Sequence, residues 1–196
     1  MHPDSPLPTR RLPPATVIAQ ARDASTRPVT LESPALDVMT DLTAIKAATT
    51  SPSMSLRQAE QVMIYQGVRM LFVVRDMPRI EGLVTTTDLH GDVTMRLVQQ
   101  RNVRYDDLSV ADVMTPLSML DAIDMADMRA ATVGNVVATL RRHGRNHLLV
   151  ADTPGAESPG RVRGVISRTQ IERQLGMPVP VTEIANDFPD VVQMLS

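Results

Sequence analysis

The chain contains no cysteine. That excludes disulfides, zinc sites built on thiolates and a cysteine nucleophile. It has no tryptophan, and aromatic residues make up only 2%. A core without aromatic bulk must be filled by Val, Leu, Ile, Ala and the 13 Met, a residue that fits irregular gaps. No charge of one sign prevails: the net charge is -2, with Lys and Arg scattered along the chain. A nucleic-acid interface would need a basic patch with stacking groups, so no nucleic-acid partner is expected. Long hydrophobic runs are missing too. The longest is Met70 to Val74, against roughly 20 residues for a membrane-spanning helix. Arg10 and Arg11 precede a brief apolar patch, Ala15 to Ala21, that is too short and interrupted for a secretory signal. The expectation is a cytoplasmic protein without a membrane partner. Chemistry-bearing patterns are equally scarce. The four histidines (His2, His90, His143 and His147) form no HExxH, and GxSxG, P-loop and GxGxxG patterns do not occur. No catalytic residue, metal ligand or required cofactor is expected, and the protein is not expected to be an enzyme.

What the sequence has is a repeat. DVMT occurs at Asp37–Thr40 and at Asp112–Thr115, 75 residues apart. The stretch Ser55 to Gly67 parallels Thr132 to Gly144 at an offset of 77. Each begins with a hydroxyl suited to a helix N-cap and ends in a glycine suited to the C-terminal side. Ser55 and Gln58 fit a capping box. Apolar residues at Leu56, Ala59, Val62 and Met63, and again at Val133, Val136, Val137 and Leu140, keep helical spacing with one buried stripe. A short apolar strand follows each helix, MLFVV from Met70 and HLLVA from His147. A turn then leads into a glycine-led strand, GLVTTTDL from Gly82 and GVISRTQI from Gly164, at an offset of 82. Helical segments close the copies at His90 to Gln100 and Ile171 to Leu175. Two small insertions account for the stepping offsets.

The predicted fold is therefore α/β (α+β), with two βαββα repeats on a shared core. Residues 1–35 read as an N-terminal arm, with seven of the 15 prolines in the first 34 residues. Residues 36–100 form the first repeat, 101–109 a linker, 110–176 the second repeat and 177–196 a C-terminal tail.

Doubled DVMT, helix, apolar strand and G-h-h-[ST]-x-x-D resemble a tandem pair of CBS domains, the cystathionine β-synthase type of regulatory module. The resemblance covers about Leu36 to Gly176. It implies two repeats packed by pseudo-two-fold symmetry, with clefts between them for adenine nucleotides or adenosyl ligands such as AMP, ADP, ATP or S-adenosylmethionine. It further implies ligand contacts from Thr85 near the phosphate or ribose, from Thr87, and from Asp88, whose two oxygens suit the vicinal ribose hydroxyls. Arg69 is a candidate phosphate donor, and Thr115 a candidate wall of the same cleft. The bland alternative for Asp88 is a helix cap. The second copy keeps Ser167 and Thr169 but has Gln170 where the carboxylate would stand. With His147 and Thr40, these mark a degenerate second site. The functional expectation is a stand-alone regulatory module with one nucleotide per chain in the Asp88 cleft. Its alternative is a structural or interaction protein with vestigial clefts. The resemblance also implies a homodimer through helix faces, with Met63, Leu97 and Val98 in need of cover; any regulated protein partner is unnamed by the sequence.

Overall fold

The structure is a computed structural model that describes residues 27–152 and 160–180. The N-terminal arm up to residue 26, most of the second copy's turn and the tail beyond 180 lie outside the described residues.

The paired helices form where the capping signals put them. Helix α1 (Leu56–Gln66) starts at a capping box between Ser55 and Gln58 and stops at Gly67, whose φ of 65° is left-handed. Its counterpart in the second repeat, Val133–His143, starts at a Thr132–Asn135 box and stops at Gly144, φ 59°. In each case four terminal N–H groups need partners and the box supplies some of them. The apolar strand follows each helix, at Met70–Val74 and at His147–Asp152, and each pairs antiparallel with the glycine-led strand after it.

In chain order the strands are β1 (Met39–Asp41), β2 (Thr49–Thr50), β3 (Met70–Val74), β4 (Ile80–Thr85), β5 (Thr115–Pro116), β6 (Ala122–Asp124), β7 (His147–Asp152) and β8 (Arg161–Ser167). The helices after α1 are α2 (Thr86–His90), α3 (Asp92–Arg101), α4 (Val110–Val113), α5 (Met125–Ala130), α6 (Val133–His143) and α7 (Arg168–Leu175). One sheet has the order β2-β3-β4-β5 and the other β1-β8-β7-β6. The two DVMT segments thus cross over. The first contributes β1, which pairs with β8 of the second repeat, Thr40 opposite Val165. The second contributes β5, which pairs with β4 of the first repeat, Thr115 opposite Leu83. Each copy keeps its βαββα order, β2-α1-β3-β4-α2 and, with α5 added before α6, β6-α6-β7-β8-α7, and each sheet is completed by the other copy's DVMT strand.

The two motif glycines have a physical reason here. A Cβ on Gly82 would overlap the Thr115 carbonyl oxygen, and one on Gly164 would meet the Met39 side chain and come within 3.1 Å of the Thr40 carbonyl oxygen. A side chain at either position would push away the strand that the other copy lends.

The core is layered. Leu71, Val73 and Val84 face α1 and α2 in one cluster, and Leu148, Val150 and Ile166 face α5 to α7 in another. The alternate residues Met70, Phe72, Leu83, Leu149 and Val165 meet in a third cluster between the sheets. Period-two alternation sorts each strand's residues between these layers. The shared core of the sequence reading is this middle layer, flanked by a separate helical layer for each repeat.

Helix bounds and one packing expectation differ from the sequence reading. The helix after β4 starts at Thr86, not beyond Asp88, and it breaks at Gly91 into α2 and α3. Thr94, fully buried, bonds across the break by donating its hydroxyl to the Asp88 carbonyl at 2.5 Å. The last helix starts at Arg168 instead of Ile171. Finally, Met63 is buried and Leu97 and Val98 pack on the first repeat's own core. The exposed apolar residues of these helices are Ile64, Tyr65, Val93 and Met95 instead.

Candidate ligand clefts between the repeats

Asp88 is the third residue of α2, and Thr85 is its N-cap. The Thr85 backbone N–H and hydroxyl both donate to Asp88 Oδ2 at 2.7 Å, while the Asp88 N–H reaches back to Thr85 Oγ1 at 3.3 Å. That is a complete capping box. Burial pushes the Asp88 carboxyl upward, opposed by the two Thr85 bonds and by the positive charge of Arg145. Thr87 is exposed and Thr115 half-buried on β5.

Two cavities lie at equivalent places about the pseudo-two-fold. The smaller, about 70 Å³, is lined by Leu83, Leu120 to Ile123, Thr139, His143, Arg145 and His147 to Leu149. None of Thr85, Thr87, Asp88 and Thr115 lines it, although Asp88 lies near enough to Arg145 to feel its charge. The larger, about 350 Å³, gathers Thr40, Lys46, Gln66, Arg69, His147, Ser167, Thr169, Gln170 and Arg173 around an apolar floor that includes Met70, Phe72 and Val165. All five residues of the degenerate second site line this larger cavity. Arg69, grouped above with Asp88, lies here as well, and its Nη1 donates to Thr169 Oγ1 at 3.4 Å across the two repeats.

Topology explains why these residues meet. β1 lies against β8, so Thr40 reaches the start of α7 and donates its hydroxyl to Gln170 Oε1 at 3.1 Å. Ser167 ends β8 opposite His147 at the start of β7. His147 faces the layer between the sheets and lines both cavities. Burial and the nearby charges of Arg69 and Arg168 hold its imidazole down to about 4. At neutral pH it is uncharged. Among the described residues no group of three His, Cys, Asp or Glu is placed to hold a metal ion, and no helix is long and apolar enough to cross a membrane.

Residues 35–91 match the family model for the CBS domain. The chain carries a CBS domain. Its fold is that of a CBS-domain pair. A CBS-domain protein of Burkholderia ambifaria MC40-6, described as a "putative signal-transduction protein with CBS domains", superposes with a TM-score of 0.50 at 20% identity, over 74% of this chain and 88% of that one. An uncharacterized conserved protein from Pyrococcus horikoshii superposes with a TM-score of 0.52 at 22% identity, over 73% of this chain and 92% of that one. No curated protein sequence matches the chain significantly. The family match ends at residue 91; the second repeat corresponds to the first through β6, α6, β7, β8 and α7, the counterparts of β2, α1, β3, β4 and α2.

Sequence reasoning missed Lys46 and Arg173 at the mouth of the larger cavity. Lys46 lies in the loop between β1 and β2, and Arg173 one turn beyond Gln170 on α7. The second had a signal: a residue three past Gln170 on a helix shares its face. The first had none.

Proposed function

We propose that this CBS-domain pair is a regulatory module, without catalytic activity of its own, that binds an adenine nucleotide or adenosyl ligand between its repeats. Occupancy would be signalled as a change in shape or partner. The observation that carries this reading is the larger cavity. Its volume of about 350 Å³ falls in the range of roughly 300–1,000 Å³ usual for small-molecule sites. Its floor of Met70, Phe72 and Val165 is buried and apolar, while Lys46, Arg69 and Arg173 are exposed at its mouth. That gradient suits a flat, weakly polar base within and phosphates outside, where exposed cations meet them as charged donors. The smaller cavity, at about 70 Å³, is far below that range, and neither Thr85 nor Asp88 lines it, which favours the larger cleft as the place of the ligand. The module is further proposed to act as a homodimer, as most soluble oligomers have two-fold symmetry.

A thermal-shift panel of AMP, ADP, ATP, NAD, S-adenosylmethionine and cyclic dinucleotides tests the ligand reading. A ligand at 100 times its dissociation constant stabilises the folded state by about 2.7 kcal/mol. At least one member of the panel is expected to produce such a shift. Silence across the panel would leave the chain as a structural or interaction protein.

A further inference from the structure

The two clefts are equivalent in place but not in charge. The positions related to Lys46 and Gln170 by the offsets of 75 and 82 residues are Asp121, which lines the smaller cavity together with Arg145, and Asp88, which lies beside it without lining it. Arg69 at the larger cleft corresponds to Asn146, and Arg173 to Gly91. The lining of the larger cavity therefore holds three cations and no carboxylate.

We propose that the larger cleft selects its ligand by anionic charge and does not read the sugar. It favours a nucleoside di- or triphosphate over the monophosphate, and it accepts ribose and 2′-deoxyribose alike. This rests on the nucleotide reading above and goes one step past it, to the chemical class of nucleotide.

Donors and acceptors decide this selection. A vicinal diol is two O–H donors, and the group that reads it well is an anionic acceptor with two oxygens. Gln170 has one amide oxygen, which is uncharged and already accepts the Thr40 hydroxyl at 3.1 Å with one of its two lone pairs. The remaining polar atom of its side chain, Nε2, is only a donor. Arg69, Lys46 and Arg173 are likewise donors only, and the Thr169 oxygen already accepts from Arg69 at 3.4 Å. The charged groups of this lining are donors, which bind anionic phosphate oxygens more strongly than neutral sugar hydroxyls, and every acceptor it offers a sugar hydroxyl is uncharged. β1 fixes this polarity: it is lent by the first repeat, and without it Thr40 could not occupy the amide oxygen of Gln170.

Calorimetry on the full chain with ATP, AMP and their 2′-deoxy forms tests the inference. ATP is expected to bind at least about tenfold more tightly than AMP in low salt, and the gap should shrink in about 0.5 M salt, as contacts to exposed charges do. Ribo- and deoxyribonucleotides should agree within about twofold, since no charge-assisted bond to the 2′-hydroxyl is there to be lost. Gln170→Asp adds the missing acceptor at the third position of α7, where it can also complete a capping box with Ser167, so folding should survive. It should create a ribose preference of about tenfold, the scale of one charge-assisted bond. Arg173→Gln, at an exposed position, should narrow the ATP–AMP gap and leave the sugar ratio unchanged. Wild-type discrimination against the deoxynucleotides of more than about fivefold would overturn the inference while leaving nucleotide binding intact, as would equal affinity for ATP and AMP. Binding of no nucleotide would overturn the nucleotide reading and this inference with it.

Discussion

At the scale of single residues, burial moves Asp88 up and His147 down, each towards its uncharged form. Asp88 spends Oδ2 on Thr85, and its sequence signature is that of a helix N-terminus as much as of a ligand site. Asp88→Ala is expected to cost about 1 kcal/mol through loss of the cap, measured by urea denaturation, and to leave nucleotide affinity in the larger cleft within about twofold. A large loss of affinity would move the ligand to the Asp88 cleft. His147 carries a pH dependence. Its folded-state value of about 4 lies below its ordinary 6.5, so the unfolded chain binds the extra proton between those pH values. The native state is then favoured above pH 6.5 and loses that advantage as the pH falls towards 4. The loss is on the order of 3 kcal/mol, with Arg69 and Arg168 adding to the burial that causes it. His147→Gln, uncharged throughout, should show a flatter stability profile over that window when both proteins are unfolded in urea at a series of pH values. Parallel profiles for the two proteins would show that His147 is protonated without penalty.

At the scale of elements, the repeat was legible because caps and periodicity are local. Ser55, Gln58, Gly67, Thr132 and Gly144 end their helices where the sequence places those ends. The crossover of β1 and β5 was not legible, since nothing within DVMT states which sheet will receive it; that is decided by pairing between strands far apart in the chain, Thr40 with Val165 and Thr115 with Leu83. The same gap hid the larger cavity. Thr40, Arg69, His147, Ser167, Thr169 and Gln170 were named singly from the sequence, whereas Lys46, Gln66 and Arg173 were not; Arg69 was grouped with Asp88 because its position relative to Thr169 depends on how the sheets stack. Glycine was the one trace the crossover left in the sequence. Gly82→Ala would drive a methyl group into the Thr115 backbone carbonyl. It should destabilise the protein by about 1–3 kcal/mol, the usual cost of overpacking. At Gly164 the nearest atoms belong to the Met39 side chain, which can move, so Gly164→Ala should cost less. Thermal unfolding of the two variants side by side checks the order. A milder effect at Gly82 would mean that β5 is loosely held.

At the scale of the whole molecule, the two repeats differ in what their helices leave uncovered. The second repeat is wrapped by the chain that precedes β1. Val29 donates its N–H to Gln174 O at 3.1 Å, Gly134 donates its N–H to Leu31 O at 2.8 Å, and buried Gln174 donates through Nε2 to the carbonyls of Arg27 and Asp37. No large apolar residue of α5, α6 or α7 is exposed. The first repeat is wrapped by residues 102–109, with Leu56 donating its N–H to Leu108 O at 3.2 Å, yet α1 still exposes Ile64 at 66% and Tyr65 at 92%, and α3 exposes Val93 at 54% and Met95 at 52%. Scattered exposed apolar residues are ordinary. Four on two helices of one repeat, with none on the helices of its near-copy, single out the first repeat as the side that a second molecule would cover. An isologous contact through α1 and α3 would bury the same four residues on both chains. Light scattering at micromolar concentration is expected to give twice the chain mass. Tyr65→Glu with Met95→Glu should yield a folded monomer, because neither side chain belongs to the buried clusters. The effect on folding of surface changes of this kind is usually within about 0.5 kcal/mol. A dimer that survives the double change would place the interface elsewhere, and a wild-type monomer would remove the homodimer from the proposal while leaving the larger cleft, which is complete within one chain, untouched.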